Sequence, residues 1–144
     1  MTKSDSYDLT RFTTAQESVY DTVLAELKDG RKRTHWMWYI FPQVDGLGFS
    51  STSQYYAIKS LEEARQYLAH PVLGARLREC AEALLAVAGR SASDIFGYPD
   101  DLKLRSSMTL FARAAGELDS VFARVLDKYF HGEQDGRTMG LLGH

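Results

Sequence analysis

An all-α fold is what this sequence of 144 residues predicts, and three observations predict it. Apolar residues recur at helical spacing in several separate segments. Glycines and prolines punctuate the ends of those segments. No stretch alternates as a strand does. The one short apolar run that could be a strand, Met37 to Phe41, has no partner to build a sheet.

Each element follows in order. Thr13 with Gln16 has the spacing of a capping box. Behind it Val19, Tyr20, Val23, Leu24 and Leu27 form one apolar stripe that Gly30 can end. The segment Thr34 to Gln43 predicts a short helix that stops before Pro42. Val44 to Ser53 reads as a loop, because Asp45-Gly46 is a turn signal and glycine and serine fill the rest. Ser60 with Glu63 is a second capping box, with Leu61, Ala64 and Leu68 behind it. Pro71 suits the first position of the next helix. That helix carries Leu73, Leu77, Cys80, Ala81, Leu84 and Ala88, and Gly89 can stop it.

Ser91 to Phe96 makes one short turn of helix. Pro99-Asp100-Asp101 opens a long one, with two carboxylates at the positive end of its dipole. Leu104, Ser107, Met108, Phe111 and Ala115 share its face, and Gly116 breaks it. Leu118, Val121, Phe122, Val125, Leu126 and Tyr129 form the last strong stripe, closed by Gly132. Thr138, Met139, Leu141 and Leu142 suggest a final turn after Asp135. The expectation is a single compact helical domain over residues 1–144, of about six or seven helices with several short. Residues 1–7 are expected to be a flexible N-terminal tail.

Composition narrows the function classes. Apolar residues make up 44% and charged residues 25%, an ordinary globular balance. A chain of this length buries roughly two-thirds of the surface its unfolded form exposes, so no metal or disulfide staple is required. Seventeen basic and nineteen acidic residues leave a net charge of −2. That argues against long nucleic acid or an anionic membrane as partner. A lone cysteine, Cys80, excludes an intrachain disulfide and suits a reducing cytoplasm. Met1 to Tyr7 lacks the apolar run of a signal peptide. No stretch reaches the ~20 apolar residues of a membrane span. The reading is a soluble cytoplasmic protein.

The familiar catalytic and nucleotide motifs are absent, and Gly46-x-Gly48 is only a fragment of one. The four histidines have no metal-ligand spacing, so neither a metal nor a cofactor is expected. Cys80 sits inside an apolar stripe and reads as a core residue. Three segments carry more information. Thr34-His35-Trp36-Met37-Trp38-Tyr39-Ile40-Phe41-Pro42-Gln43 packs both tryptophans into ten residues, behind the basic run Arg31-Lys32-Arg33. Large rings can anchor a short helix in the core. On a helix, however, Trp36 and Trp38 face different ways, so some rings are expected to line a pocket. A ring beside a cation can stack a flat ligand. His35 is the candidate general acid or base.

Lys103-Leu104-Arg105-Ser106-Ser107-Met108-Thr109 gathers two cations and three hydroxyls near one helical turn. Serine and threonine weaken a helix interior. Their presence is explained either by structural hydrogen bonds or by contact with a phosphate or carboxylate. Ser50 to Tyr56 is either a solvated loop or a further wall of the same pocket. The candidate ligand-binding residues are therefore Trp36, Trp38, Gln43, Lys103, Ser106 and Ser107. The candidate ligand is small and anionic or nucleotide-like.

The segments His35 to Gln43, Tyr67-Leu68-Ala69-His70-Pro71-Val72-Leu73-Gly74-x-Arg76-Leu77 and Lys103-x-x-Ser106-Ser107-Met108-Thr109-Leu110-Phe111 together resemble one family. It is the bacterial and fungal domain-of-unknown-function family 1810, sometimes labelled calpastatin-like. The resemblance runs from about Asp8 to Leu142. It implies a small, mainly helical domain and supplies no activity. The order of the segments is also loosely similar to helical N-glycosidases that act on ADP-ribose-type or riboflavin-pathway substrates. That likeness implies a hydrolase using a carboxylate or His35; it carries over no catalytic carboxylate, and Glu62, Glu63 and Asp94 are the stand-ins this sequence offers. A third reading is a protein-protein interaction module that docks a partner on exposed rings.

Overall fold

Ten helices carry the described part of the chain, residues 7–143 of a computed structural model. They are α1 (Thr10–Glu17), α2 (Tyr20–Lys28), α3 (Met37–Ile40), α4 (Ser51–Tyr56), α5 (Leu61–Ala69), α6 (Leu73–Ala86), α7 (Ala92–Phe96), α8 (Asp100–Ala115), α9 (Val121–Phe130) and α10 (Gly136–Leu142). No strand appears among the described residues, so the all-α expectation holds. Positions 1–6 of the expected tail, and His144, lie outside them. Tyr7 lies within them, and its hydroxyl is 3.2 Å from Ser60 Oγ.

The helix count exceeds the expected six or seven because one expected helix is split in two and a further short helix stands where a loop was expected. The stripe from Thr13 to Gly30 is split into α1 and α2 around Ser18 and Val19. Thr13 is no cap: it lies inside α1 and donates to the Thr10 carbonyl. Gln16 is buried instead, its amide donating to Tyr39 O at 2.7 Å and Tyr67 Oη at 3.1 Å. The serine cluster is likewise no plain loop. Ser50 Oγ accepts from the Ser53 amide and starts α4.

Ser60 caps α5 as expected, accepting from the Glu63 amide at 3.1 Å. The Glu63 carboxylate is only partly the partner of a capping box. It accepts the Lys59 amide at 2.7 Å and pairs with Arg11 at 2.9 Å in a nearly enclosed ion pair. Pro71 lies ahead of α6 rather than at its first position, because α6 begins at Leu73. The cap comes from His70, whose Nδ1 accepts the amides of Val72 and Leu73, each at 3.1 Å. Losing a side-chain cap costs about 1 kcal/mol. His70→Ala is therefore expected to lower unfolding free energy by about that amount, read by urea denaturation near neutral pH.

The long helix α8 is the axis of the core. It packs against α5, α7, α9 and α10, while α6 closes the domain against α2, α5 and α9. Rings run through the centre from Phe12 to Tyr67, Phe111 and Phe122. Cys80 is enclosed there, and burial pushes its thiol up to about 12, which suits a core residue and not a nucleophile. The far end of α6 is capped by α9. Lys128 Nζ donates to the carbonyls of Leu84, Leu85 and Val87, and Tyr129 Oη to Leu84 O at 2.6 Å. No helix among the described residues is long and apolar enough to cross a membrane.

Candidate functional site

The site begins with a buried carboxylate. Glu26, near the end of α2, is 5% exposed. It accepts the amides of Arg33 and Thr34, the Thr34 hydroxyl, and Trp36 Nε1–H at 2.9 Å. Burial alone would raise its pKa. The hydrogen bonds from Arg33, Trp36 and Thr34 outweigh burial and hold the carboxyl below the ordinary glutamate range. This bond set pins the chain just ahead of α3 and drives the Trp36 ring into the core, against Phe41 and Phe96.

The helix α3 is one turn long, and that settles which way each ring faces. Trp36 precedes it with a φ of −144°, outside the helical region. Gln43 follows it, beyond buried Pro42. Neither residue shares a helical face with Trp38, so the two-faced helix expected from the sequence is replaced by a turn between two bends. Trp38 is left half-buried on the outer side.

Below Trp38 lies the start of α8. Lys103 Nζ sits 4.2 Å from the Trp38 ring centroid, a cation–π contact. It also pairs with Asp100 Oδ1 at 3.2 Å. The other oxygen of Asp100 holds Lys32 at 3.0 Å, and Lys32 lies over the Trp36 ring. Of the basic run, Lys32 is thus drawn inward, while Arg31 and Arg33 stay exposed.

The opposite wall is the segment from Gln43 to Ile58. A parallel bridge between Val44 and Ile58 ties its two ends, through Asp45 N–H to Ile58 O at 2.8 Å and Ile58 N–H to Gln43 O at 2.9 Å. Gly46 has a φ of +106°, a conformation that needs glycine. These walls enclose a cleft of about 240 Å³ lined by Trp38, Gln43, Leu47, Ser53 and Lys103 among others. A second cleft of about 440 Å³ adjoins it, sharing Gln43, Leu47 and Lys103. Its other walls include Arg105, Ser106, Asp135 and Arg137. Ligand pockets commonly span roughly 300–1,000 Å³, and the joined clefts fall in that class.

Four of the seven residues singled out in the sequence meet here: Trp38, Gln43, Lys103 and Ser106. Three do not. Trp36 is 2% exposed and belongs to the core, because its indole N–H needs the buried acceptor Glu26. Ser107 is fully buried on the inner face of α8 and lines neither cleft. His35 is exposed and lines neither cleft; its carbonyl accepts from the Tyr39 hydroxyl at 3.3 Å. No general acid or base role is supported for it by this geometry.

The hydroxyls of α8 turn out to be mainly structural. Thr109 Oγ1 donates to Arg105 O at 2.8 Å and accepts the Asp135 amide at 2.9 Å. Ser106 Oγ donates to Asp135 Oδ2 at 3.1 Å. Asp135 in turn caps α10 through the Thr138 amide. The polar patch therefore fastens α10 onto α8 and brings Arg137 over the cleft, where its guanidinium reaches Gly46 O at 3.3 Å. Arg137 carried no sequence signal, since only the return of α10 places it there. Leu47 and Gly48 lie in a segment expected to be loop, and the Val44–Ile58 bridge closes that segment into a cleft wall.

The stand-in carboxylates of the hydrolase reading lie elsewhere. Glu63 is consumed by Arg11, Glu62 is exposed beside Gln66, and Asp94 closes a capping box with Ser91 at the start of α7. None lines either cleft. The carboxylates that do are Asp45 in the first and Asp135 in the second. Among the described residues, no group of three or more His, Cys, Asp or Glu side chains gathers as a metal site.

Comparison with known proteins adds the following. A family model described as "Protein of unknown function (DUF1810)" matches residues 6–142. No curated protein matches. Among solved structures, the conserved hypothetical protein Rv1873 from Mycobacterium tuberculosis is similar at 53% identity and a TM-score of 0.93. The match covers 96% of this chain and 99% of that one.

Proposed function

The chain belongs to the family described as "Protein of unknown function (DUF1810)", and we propose that its joined clefts bind a small anionic ligand carrying a flat ring. The observation that carries this reading is Lys103 poised 4.2 Å over the half-buried Trp38 ring, at the wall the two clefts share. A ligand whose anionic group draws Lys103 off the ring would meet the cation and the freed aromatic face together. Lys103, Arg105 and Arg137 line the second cleft against Asp135, with Asp100 paired to Lys103, so cations predominate there although the chain carries a net charge of −2.

Thermal unfolding with a panel of nucleoside phosphates, ADP-ribose, flavin mononucleotide and aromatic carboxylates tests the reading. A ligand at 100-fold its dissociation constant stabilises the fold by ~2.7 kcal/mol. Lys103→Ala is expected to weaken the responding ligand about tenfold or more, since a hydrogen bond to a charged group is worth ~1.5–3 kcal/mol. A panel without any melting shift, or a Lys103→Ala variant that binds as the parent does, would overturn it.

One observation favours a second reading, an interaction module. Phe49 and Tyr98 are 85% and 80% exposed, beside the cleft-lining Gly48 and Pro99. Exposed rings of this kind can dock a protein partner. A solution mass that rises with concentration would support self-association, and a concentration-independent monomer would count against it.

A further inference from the structure

Burial normally comes with a hydrogen bond, so buried polar atoms that lack one mark where something is missing. Among the described residues four side-chain atoms are buried without a partner: Gln43 Nε2, Gln66 Oε1, Arg105 Nε and Ser107 Oγ. Two of these are donors on residues that line the joined clefts. Gln43 borders both clefts, and Arg105 borders the second. We propose that the clefts form one two-compartment site for a nucleoside monophosphate. The base lies against Trp38 and is read by Gln43, and the phosphate rests on Lys103 and Arg105. This rests on the ligand-binding reading above and gives it a chemical class and an orientation.

The first compartment suits a base. Val44, Leu47 and Ala57 supply apolar walls, and Trp38 supplies an aromatic face. The Gln43 side chain makes no hydrogen bond within the described protein, although its backbone carbonyl is used by Ile58. A free amide offers one donor and one acceptor in a single plane. Nucleobase edges carry the matching adjacent acceptor and donor, and such pairing is bidentate.

The second compartment suits the phosphate. Lys103 stands between the compartments, and Arg105 and Arg137 extend the positive wall outward. One amine of Arg105 is held by Gln134 O at 2.9 Å, which fixes the guanidinium while its Nε–H is left without an acceptor. Among the described residues, Asp135 is the one carboxylate lining this compartment, and its Oδ2 is engaged by Ser106 and Thr138. The reverse orientation would set the phosphate among apolar walls beside Asp45. Desolvating a dianion there is unfavourable.

Titration calorimetry separates the compartments. The probes are AMP, GMP, CMP and UMP, their nucleosides, ribose 5-phosphate and nicotinate. The proteins are the parent, Gln43→Leu, Arg105→Ala and Arg137→Ala. Gln43→Leu is expected to weaken at least one nucleotide about tenfold, a bidentate pair being worth ~1–3 kcal/mol, and to leave ribose 5-phosphate unchanged. Arg105→Ala is expected to weaken nucleotide and ribose 5-phosphate alike and leave the nucleoside unchanged. Should Arg105→Ala misfold, the exposed Arg137→Ala is expected to act in the same direction to a smaller degree. If Gln43→Leu weakens ribose 5-phosphate as much as nucleotide, or the arginine variants weaken the nucleoside equally, the two-compartment assignment is wrong. Binding of nicotinate with no nucleotide bound would overturn the nucleotide and keep the ligand site. No binding of any probe would remove both.

Discussion

Glu26→Ala is expected to lower the free energy of unfolding by about 3–5 kcal/mol, the largest effect of any single substitution considered. The carboxylate serves four donors at once: two amides, a hydroxyl and the Trp36 indole N–H. Removing it strands the indole in the core, where water cannot replace the lost acceptor. Each buried donor left unsatisfied costs about 1–3 kcal/mol. The loss also frees the bend that sets Trp36 inward and Trp38 outward, so the cleft should loosen together with the core. Urea denaturation followed by tryptophan fluorescence measures both. Glu26→Gln, which keeps the shape but turns part of the acceptor into a donor, is expected to fall between parent and alanine variant.

The same residue predicts a pH dependence of definite sign. Its carboxyl is held below the ordinary value in the folded state by hydrogen bonds that outweigh burial. A group of this kind contributes stability above its unfolded pKa, ~4.3 for glutamate. That contribution fades as the pH falls from there through the lower folded value. Stability measured between neutrality and pH 3 should therefore drop less steeply in Glu26→Gln than in the parent. An equal slope in both proteins would show that Glu26 is not the group responsible.

Gly74→Ala is expected to destabilise the protein by about 2–3 kcal/mol, against the usual direction for this exchange. Alanine is the better helix former by ~1 kcal/mol, and Gly74 lies within α6. A methyl group there would stand 2.1 Å from the Leu68 carbonyl oxygen and 2.9 Å from its carbon, at the end of α5. Backbone cannot rotate away as a side chain does. Overpacking of this kind costs ~1–3 kcal/mol and occasionally more, which exceeds the propensity gain. The close approach matters because Arg78 reaches the same carbonyl at 3.2 Å, fixing the turn between α5 and α6. A stabilised Gly74→Ala protein would mean that the two helices can part without loss.

Much of the fold could be read in the sequence because helical periodicity is local. The stripes of α5, α6, α8 and α9 repeat every three or four residues, Gly116 sits directly behind α8, and Gly132 follows α9 one residue beyond its left-handed cap His131. The failures are also local in origin. Thr13 and Gln16 have cap spacing, yet Gln16 has a better use between Tyr39 and Tyr67, a pairing across 51 residues that no local pattern shows. The run Ser50 to Ser53 has loop composition, but its first serine is also a good cap.

The candidate site was legible in part for the same reason. Trp38, Gln43, Lys103 and Ser106 were marked by unusual clustering of rings, cations and hydroxyls. Trp36 shared that signal and went to the core because a carboxylate ten residues earlier accepts its N–H. Ser107 went inward because α8 is covered on several sides, and its hydroxyl is enclosed there without a hydrogen-bond partner. The sequence by itself determined the all-α class, the main helices and the segments around which a cleft forms. The tertiary structure alone decided which tryptophan faces the cleft and that Arg137, 91 residues from Gly46, closes over it. Periodicity follows from bonds a few residues apart, whereas a cleft is made by side chains that meet only when distant helices pack and their buried polar groups find partners.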